Sequence, residues 1–327
     1  MIISRTPYRI SFFGGGTDYP SWYGANKGQV LSATIDKYCY ITCRWLPPFH
    51  GHKHRIVYSR TEDVMNISEI KHPSVRACLR FMRIKDGVEI HHDGDLPARS
   101  GIGSSSSFTV GLLKALYALK GRMVPADRLA ADAIRVEQDI LKENVGAQDQ
   151  VAAAYGGCNL ISFGPKRHLQ VCPLTASAGR MKEFQDRLLL FYTGIPRTAS
   201  DIAAAQVKCT PAKGRELSRM CEMVDRAVEI IDGRGDISAF GRLMHASWLL
   251  KRSLTNKITT PAIDEIYAAA RRAGALGGKV LGAGGGGFML FFSAPGKQAR
   301  VRAALKKLLH VPFKFEDSGS SVIFYNR

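Results

Sequence analysis

Two segments of this sequence carry residues suited to holding an anion and handling a proton. In DLPARSGIGSSSSFTVGLLKAL, residues 95–116, Pro97 gives a stiff entry, and Gly101 and Gly103 permit left-handed backbone and close approach to a bulky ligand. A helix then opens on Ser104, Ser105, Ser106 and Ser107. The first N–H groups of such a helix have no partners within it and point at the loop with the positive end of the helix dipole. A phosphate suits that position. Charge–dipole attraction supplies ~0.3–1 kcal/mol at an exposed site and up to ~2 when partly buried, so several N–H bonds must supply the rest. The same residues would also make a plain glycine turn capped by serine. The loop is not a Walker A motif, since no Gly-Lys-Ser/Thr follows the glycines. It also lacks the third glycine and the preceding strand of a dinucleotide fingerprint.

The second segment, ENVGAQDQ (143–150), sets Asp149 twelve residues after Glu137 across a glycine turn. Carboxylates and hydroxyls are the usual ligands of magnesium, and a carboxylate can deprotonate or orient a hydroxyl nucleophile. Taken alone, Glu137 is equally a solvated helix carboxylate, and Asp149 an ordinary acidic residue at a helix start. Further back, Arg9 precedes Gly14, Gly15, Gly16, Thr17 and Asp18, which alone would be a strand-edge cation and an Asx-type turn. A later run, Gly284 to Gly287, lets backbone approach a ligand or turns tightly between strands.

The elements that must position these groups are legible as a mixture. Tyr8 to Phe13, Val30 to Trp45, Arg55 to Ser59 and Val88 to His92 are rich in β-branched and aromatic residues. Helices are expected from the serine run to about Lys120 and from Pro125 to about Lys142. The second half starts near Gly179 with the strand RLLLFYT (187–193). Helices follow on the Leu217-Met220-Val224-Val228-Ile231 stripe, over 236–254 and over 261–273. Strands at 279–281, 288–292, 313–316 and 322–325 and a helix within 296–309 complete it. The absence of regular strand–helix alternation points to two α+β domains, which 327 residues readily accommodate.

Composition narrows the class. At 45% hydrophobic and 23% charged the chain is an ordinary globular protein. Its seven cysteines, an odd number with no CxxC pair, argue against a disulfide framework or structural zinc and for a reducing compartment. The segment MIISRTPYRISFFGGG carries Arg5 and Arg9 inside its apolar stretch and makes a poor signal peptide. No run approaches the ~18 apolar residues of a membrane span. The formal charge of +18 is spread along the chain. That favours a basic surface, and next a field for anionic small molecules, over a nucleic-acid patch.

Three segments, in order and spanning nearly the whole chain, resemble motifs of the GHMP kinases. PARSGIGSSSS is similar to their phosphate loop PxxxGLGSSAA, RTPYRISFFGGGTDYP (5–20) to the N-terminal motif of the sugar kinases, and GGKVLGAGGGGFMLFF (277–292) to the C-terminal glycine motif. The resemblance implies an α+β chain of two domains. Residues 1–178 would form a ribosomal-protein-like ATP-binding domain, residues 179–327 a ferredoxin-like one, with the active site between them. It implies ATP on Pro97, Gly101, Ile102, Gly103, Ser104, Ser105, Ser106 and Ser107, and Mg²⁺ on Ser105 and Glu137. Asp149 would face the substrate hydroxyl, as a base or only to orient it, since a loose transition state demands little prior deprotonation. Arg9 would pair with Asp149 and stabilise developing charge. Gly15, Gly16, Thr17, Asp18, Gly284 and Gly285 would line the substrate, Asp18 bonding sugar hydroxyls. Arg197, in YTGIPRTAS, is the expected substrate-side cation.

Galactokinases have GEHTDY where this chain has GGGTDY, which removes two sugar contacts and argues against galactose. GGGTDYP, GAQDQ and LGAGGGGF resemble the branch that phosphorylates the anomeric hydroxyl of D-glycero-D-manno-heptose 7-phosphate. The expectation is therefore a cytoplasmic kinase of a small sugar or sugar phosphate, feeding nucleotide-sugar synthesis for surface glycans. It would have no nucleic-acid or membrane partner and would be open to forming a homodimer. A kinase of an unphosphorylated hexose such as fucose and a non-catalytic sugar sensor are the alternatives.

Overall fold

Strand β1 (Ile2–Phe13) alternates buried and half-buried residues at its start and is buried throughout from Thr6 onward, so its second half must be covered on both faces. The computed structural model, which describes residues 1–195 and 199–326, shows what covers it. In chain order follow α1 (Pro20–Tyr23), β2 (Gly28–Trp45), β3 (His54–Val57), β4 (Thr61–Val64), α2 (Pro73–Phe81), β5 (Val88–Gly94), α3 (Ser104–Leu119), α4 (Ala126–Ile134), α5 (Gln148–Tyr155), β6 (Cys158–Gly164) and β7 (His168–Pro173). The second half comprises α6 (Ala178–Asp186), β8 (Leu188–Tyr192), α7 (Ala199–Cys209), α8 (Gly214–Asp232), α9 (Ser238–Arg252), α10 (Pro261–Ala273), β9 (Ala275–Val280), β10 (Phe288–Ser293), α11 (Gln298–Ala304), β11 (Leu309–His310) and β12 (Ser321–Tyr325).

The first sheet runs β12-β1-β2-β5-β3-β4, and β6 and β7 extend it from the other end of the long β2. Among the described residues only β3 and β5 pair in parallel. The second sheet, β11-β8-β10-β9, is antiparallel. Strand β12 pairs with Ile2 to Arg5 and no further. The edge of β1 beyond Arg5 is taken instead by α3 and its preceding loop. Ser107 Oγ donates to the Pro7 carbonyl at 3.0 Å, and the Arg9 N–H donates to the Ile102 carbonyl at 3.1 Å. Pro7 has no N–H to give, and the pairing with β2 shifts register between Pro7 and Tyr8. The anion-loop candidate thus substitutes for a strand at this edge.

An aromatic cluster joins the two halves. Phe184 of α6 lies 5.2 Å from Phe12 of β1, 4.7 Å from Phe240 of α9 and 6.1 Å from Phe292 of β10 between ring centroids. Phe12, Phe184 and Phe240 meet edge-on or tilted, which suits the ring quadrupoles and adds ~0.5–1.5 kcal/mol per pair beyond burial.

The α+β architecture is as the sequence implies. A cut between 178 and 179 would fall in the first turn of α6, and β12 returns to the first sheet. The helix expected to reach Lys142 closes as a π-helical turn over 135–140, in which the Leu141 N–H reaches the Val136 carbonyl. Residues 313–316 make only a single bridge, Ile35 to Phe315, instead of a strand. Helices α2, α6 and α7 and the β6–β7 hairpin were not expected. That hairpin turns through Lys166 and Arg167 at φ 57° and 59°, where the usual glycine or asparagine signal is missing.

Phe240 is fully buried between both sheets. Phe240→Ala is expected to lower unfolding free energy by about 3–5 kcal/mol, read by urea denaturation. A loss below about 1 kcal/mol would show that the cluster does not hold the halves together.

Candidate active site

The loop before α3 is braced by its own polar groups. Ser100 Oγ donates to the Pro97 carbonyl at 2.6 Å, and the Arg99 N–H donates to Ser104 Oγ at 3.1 Å. Gly103 caps α3 at φ 75°. A side chain there would be strained, and its Cβ would stand 3.2 Å from Arg9 Cγ and 3.4 Å from Asp149 Oδ2. The Ser107 N–H bonds to the Gly103 carbonyl, and the preceding first-turn N–H groups have no intrahelical partner. Ile102 is buried, its carbonyl taken by Arg9, so it anchors the loop; Ser105 and Pro97 are exposed.

The second half of the chain holds this loop from the other side. The Phe288 N–H donates to the Ser100 carbonyl at 3.0 Å. A Cβ on Gly287, at φ 84°, would lie 2.1 Å from that carbonyl oxygen, so only glycine fits. The Gly287 carbonyl accepts from Thr193 N and Oγ1 at 2.9 and 2.8 Å.

Beside Gly103, Arg9 Nε and Nη2 bond both oxygens of Asp149 at 2.7 Å each, and Nη1 donates to the Gly101 carbonyl at 2.7 Å. Arg9 is buried and Asp149 half-buried. This fork fixes the orientation of the carboxylate as a single charge could not. Asp149 lies in the first turn of α5.

Glu137 lies in the π-helical turn, a local widening that recurs at functional sites. It is fully buried. Ser106 Oγ donates to its Oε2 at 2.8 Å, Gln150 Nε2 donates to the same oxygen, and Oε1 has no partner. Burial pushes its carboxyl up to about 7, against the opposing influence of the neighbouring Thr109, Ser106 and Gln150 side chains. A carboxylate so placed fits a cation at its open oxygen. The hydroxyl bonded to Glu137 is Ser106, one position beyond the serine that the resemblance implies.

The Gly14–Asp18 turn is braced from within. Thr17 Oγ1 bonds the Gly14 and Gln29 carbonyls at 2.9 Å and is fully buried, so Thr17 shapes the turn and has no hydroxyl to offer a ligand. Asp18 Oδ1 accepts from the Gly16 N–H at 2.8 Å and Oδ2 from Gln148 Nε2 at 2.9 Å. Burial raises its carboxyl above the ordinary range, the Gly16 N–H opposes, and the Asp149 charge adds to the rise. Asp18 therefore ties the turn to α5 in this structure. Gly284 and Gly285 pack against Ile258 and Ile202. Arg197 lies outside the described residues.

Lys279 escaped the sequence reading. It sits in β9 within an apolar strand, and its Nζ donates to the Phe12 carbonyl at 3.0 Å. Burial, followed by the Lys251 and Arg9 charges, holds its ammonium well below the usual range, with Asp18 opposing. A lysine among glycines ahead of GAGGGG was the available signal. Arg9, Asp149, Asp18, Glu137 and Lys279 come from five elements around one end of the loop. An open groove of about 1160 Å³ contains none of them and is lined by Arg44, Trp45, Arg83 and Tyr325. Chemistry, rather than volume, marks the site.

Comparisons with known proteins give the family. The GHMP kinases N terminal domain matches residues 73–157 and the GHMP kinases C terminal domain residues 216–311. The chain belongs to the GHMP kinase family, and it is a sugar kinase, a phosphotransferase with an alcohol group as acceptor, in a family whose phosphate donor is ATP. D-glycero-alpha-D-manno-heptose 7-phosphate kinase of Campylobacter jejuni is 30% identical over 94% of this chain and 93% of its own length. L-fucokinase/L-fucose-1-P guanylyltransferase of Bacteroides fragilis is 27% identical over 94% of this chain and 36% of its own length. Among solved structures, a D-glycero-D-manno-heptose 1-phosphate kinase from Bacteroides thetaiotaomicron superposes with a TM-score of 0.81 at 23% identity, covering 100% of both chains. No helix among the described residues is long and apolar enough to cross a membrane.

Glu137 also carries a pH signature. Its folded value of about 7 lies above its ordinary 4.5. The contribution to stability is therefore fully present below the ordinary value and is lost as pH rises through about 7. Urea denaturation without divalent cations should show Glu137→Gln gaining on wild type between about pH 5 and about pH 8. A pH-independent difference would contradict this.

Proposed function

We propose that the protein transfers the γ-phosphate of ATP to the anomeric hydroxyl of a sugar phosphate, D-glycero-D-manno-heptose 7-phosphate, yielding the 1,7-bisphosphate. The observation that carries the transfer chemistry is the Arg9–Asp149 fork set against Gly103, which puts a fixed carboxylate beside the mouth of the anion loop. The acceptor hydroxyl bonds Asp149, and the N–H groups of α3 hold the phosphates. Asp149 orients the nucleophile and receives its proton as the bond to phosphorus forms and the bond from the γ-phosphorus to the bridging oxygen breaks, releasing ADP; in a loose transition state that proton transfer comes late. Arg9 holds Asp149 in place and, through Gly101, couples it to the loop.

Mg²⁺ belongs on Glu137, whose Oε1 is open, with a serine hydroxyl of the loop. When bound it would neutralise phosphate charge. Ser106 is committed to Glu137, which leaves exposed Ser105 as the hydroxyl for ion or phosphate. Ser105→Ala should then raise the Mg²⁺ requirement several-fold with stability kept. Ser106→Ala should cost about 1–3 kcal/mol by leaving a buried carboxylate short of a donor. Thermal melts and Mg²⁺ titrations of both variants separate the roles, and interchanged results would reverse them.

The heptose 7-phosphate assignment is supported by likeness to the Campylobacter relative over nearly both whole chains, by the GGGTDYP turn, and by a +18 formal charge that favours an anionic substrate. Cytoplasmic residence fits ATP as donor and seven cysteines that are all unpaired. Coupled ATP-consumption assays over sugars and sugar phosphates test the substrate. Full activity on L-fucose with none on heptose 7-phosphate would replace it. Asp149→Ala is expected to lower kcat at least ~100-fold with ATP binding retained, and unchanged turnover would remove Asp149 from the mechanism.

A further inference from the structure

Three buried polar side chains border the Gly15–Gly16 turn, and each carries an atom that no described residue satisfies: Ser11 Oγ, Gln148 Oε1 and Gln206 Nε2. The residues are 3%, 8% and 5% exposed. The glycines measure their convergence. A Cβ on Gly15 would lie 3.5 Å from Gln148 Nε2 and 3.6 Å from Ser11 Oγ, and a Cβ on Gly16 would lie 2.4 Å from Gln206 Nε2. They come from β1, α5 and α7, so no local pattern brings them together. Each unsatisfied buried group costs ~1–3 kcal/mol, and three at one turn call for a ligand.

Their chemistry limits what that ligand is. The Gln148 amide nitrogen donates to Asp18, which leaves its carbonyl oxygen as an unpaired acceptor. Gln206 presents a donor, and Ser11 can be either. Donor and acceptor together complement hydroxyl groups, which also do both. A phosphate is a poor occupant, because it would meet the Gln148 carbonyl oxygen beside the Asp18 carboxylate. We propose that Ser11, Gln148 and Gln206 form a polyol subsite that binds ring or side-chain hydroxyls of the acceptor, with Gln206 as a specificity-determining residue contributed by the second half of the chain. The proposal rests on the sugar-kinase reading and places any substrate phosphate elsewhere in the cleft.

Gln206→Leu keeps the volume and removes the donor. Steady-state kinetics would be run on wild type and variant with heptose 7-phosphate, L-fucose, D-galactose and mevalonate as acceptors, alongside thermal melts. The expected result is a rise of about tenfold in KM for the sugar that wild type uses, equivalent to ~1.4 kcal/mol, with kcat, KM for ATP and melting temperature nearly unchanged. An unchanged sugar KM would overturn the subsite. So would a parallel rise in both KM values with a lowered melting temperature, which marks a packing role. Wild-type use of fucose but not heptose 7-phosphate would overturn only the substrate named above, and the fucose KM of the variant then decides the subsite. Use of mevalonate alone, or of none of the four, would overturn both.

Discussion

Arg9 is the residue on which the rest of the site leans, because it bonds two separate stretches of chain at once. Its backbone N–H fixes Ile102, one guanidinium nitrogen fixes Gly101, and the other two hold both oxygens of Asp149. A buried guanidinium is expensive to desolvate and is retained only with excellent geometry and several partners. Those partners are the anion loop and the carboxylate, so the energetic demand of one cation aligns, side by side, the two groups to which the proposed transfer assigns the phosphates and the acceptor hydroxyl. The open edge of β1 beyond Arg5, where β12 stops, is what lets the loop come close enough. Gly287 then closes the arrangement from the second sheet.

The buried charges differ by neighbourhood. Glu137 receives two hydrogen bonds on one oxygen and none on the other, and burial prevails, pushing it up to about 7. Asp18 is satisfied by Gly16 and Gln148 yet is still raised by burial. Lys279 is driven down by burial among like charges. These are the neighbourhoods on which the proposed cation site at Glu137 and the proposed hydroxyl subsite at the glycine turn rest.

Much of this was legible in the sequence. The loop and its helix followed from glycines, serines and an apolar helical stripe, and the α+β class followed from the irregular alternation of elements. Arg9 and Asp149 could be paired only through family resemblance, because residues 140 positions apart carry no local signal of contact. Ser106 was indistinguishable from its neighbours until the helix phase was known, since which serine faces inward depends on where Gly103 starts the helix. Thr17 and Asp18 were ligand candidates through the resemblance alone; in the structure burial and the turn geometry give them internal partners. Lys279, Gln148 and Gln206 gain their meaning from strand and helix packing across the two halves, which no spacing encodes.

A kinetic double-mutant cycle on Arg9→Met and Asp149→Asn, read as kcat/KM for the acceptor, tests most directly whether the fork acts as one unit. The structure predicts that the double variant is no slower than Asp149→Asn alone, since Arg9 acts by holding Asp149. Losses that multiply would contradict it, showing that Arg9 and Asp149 serve the reaction independently.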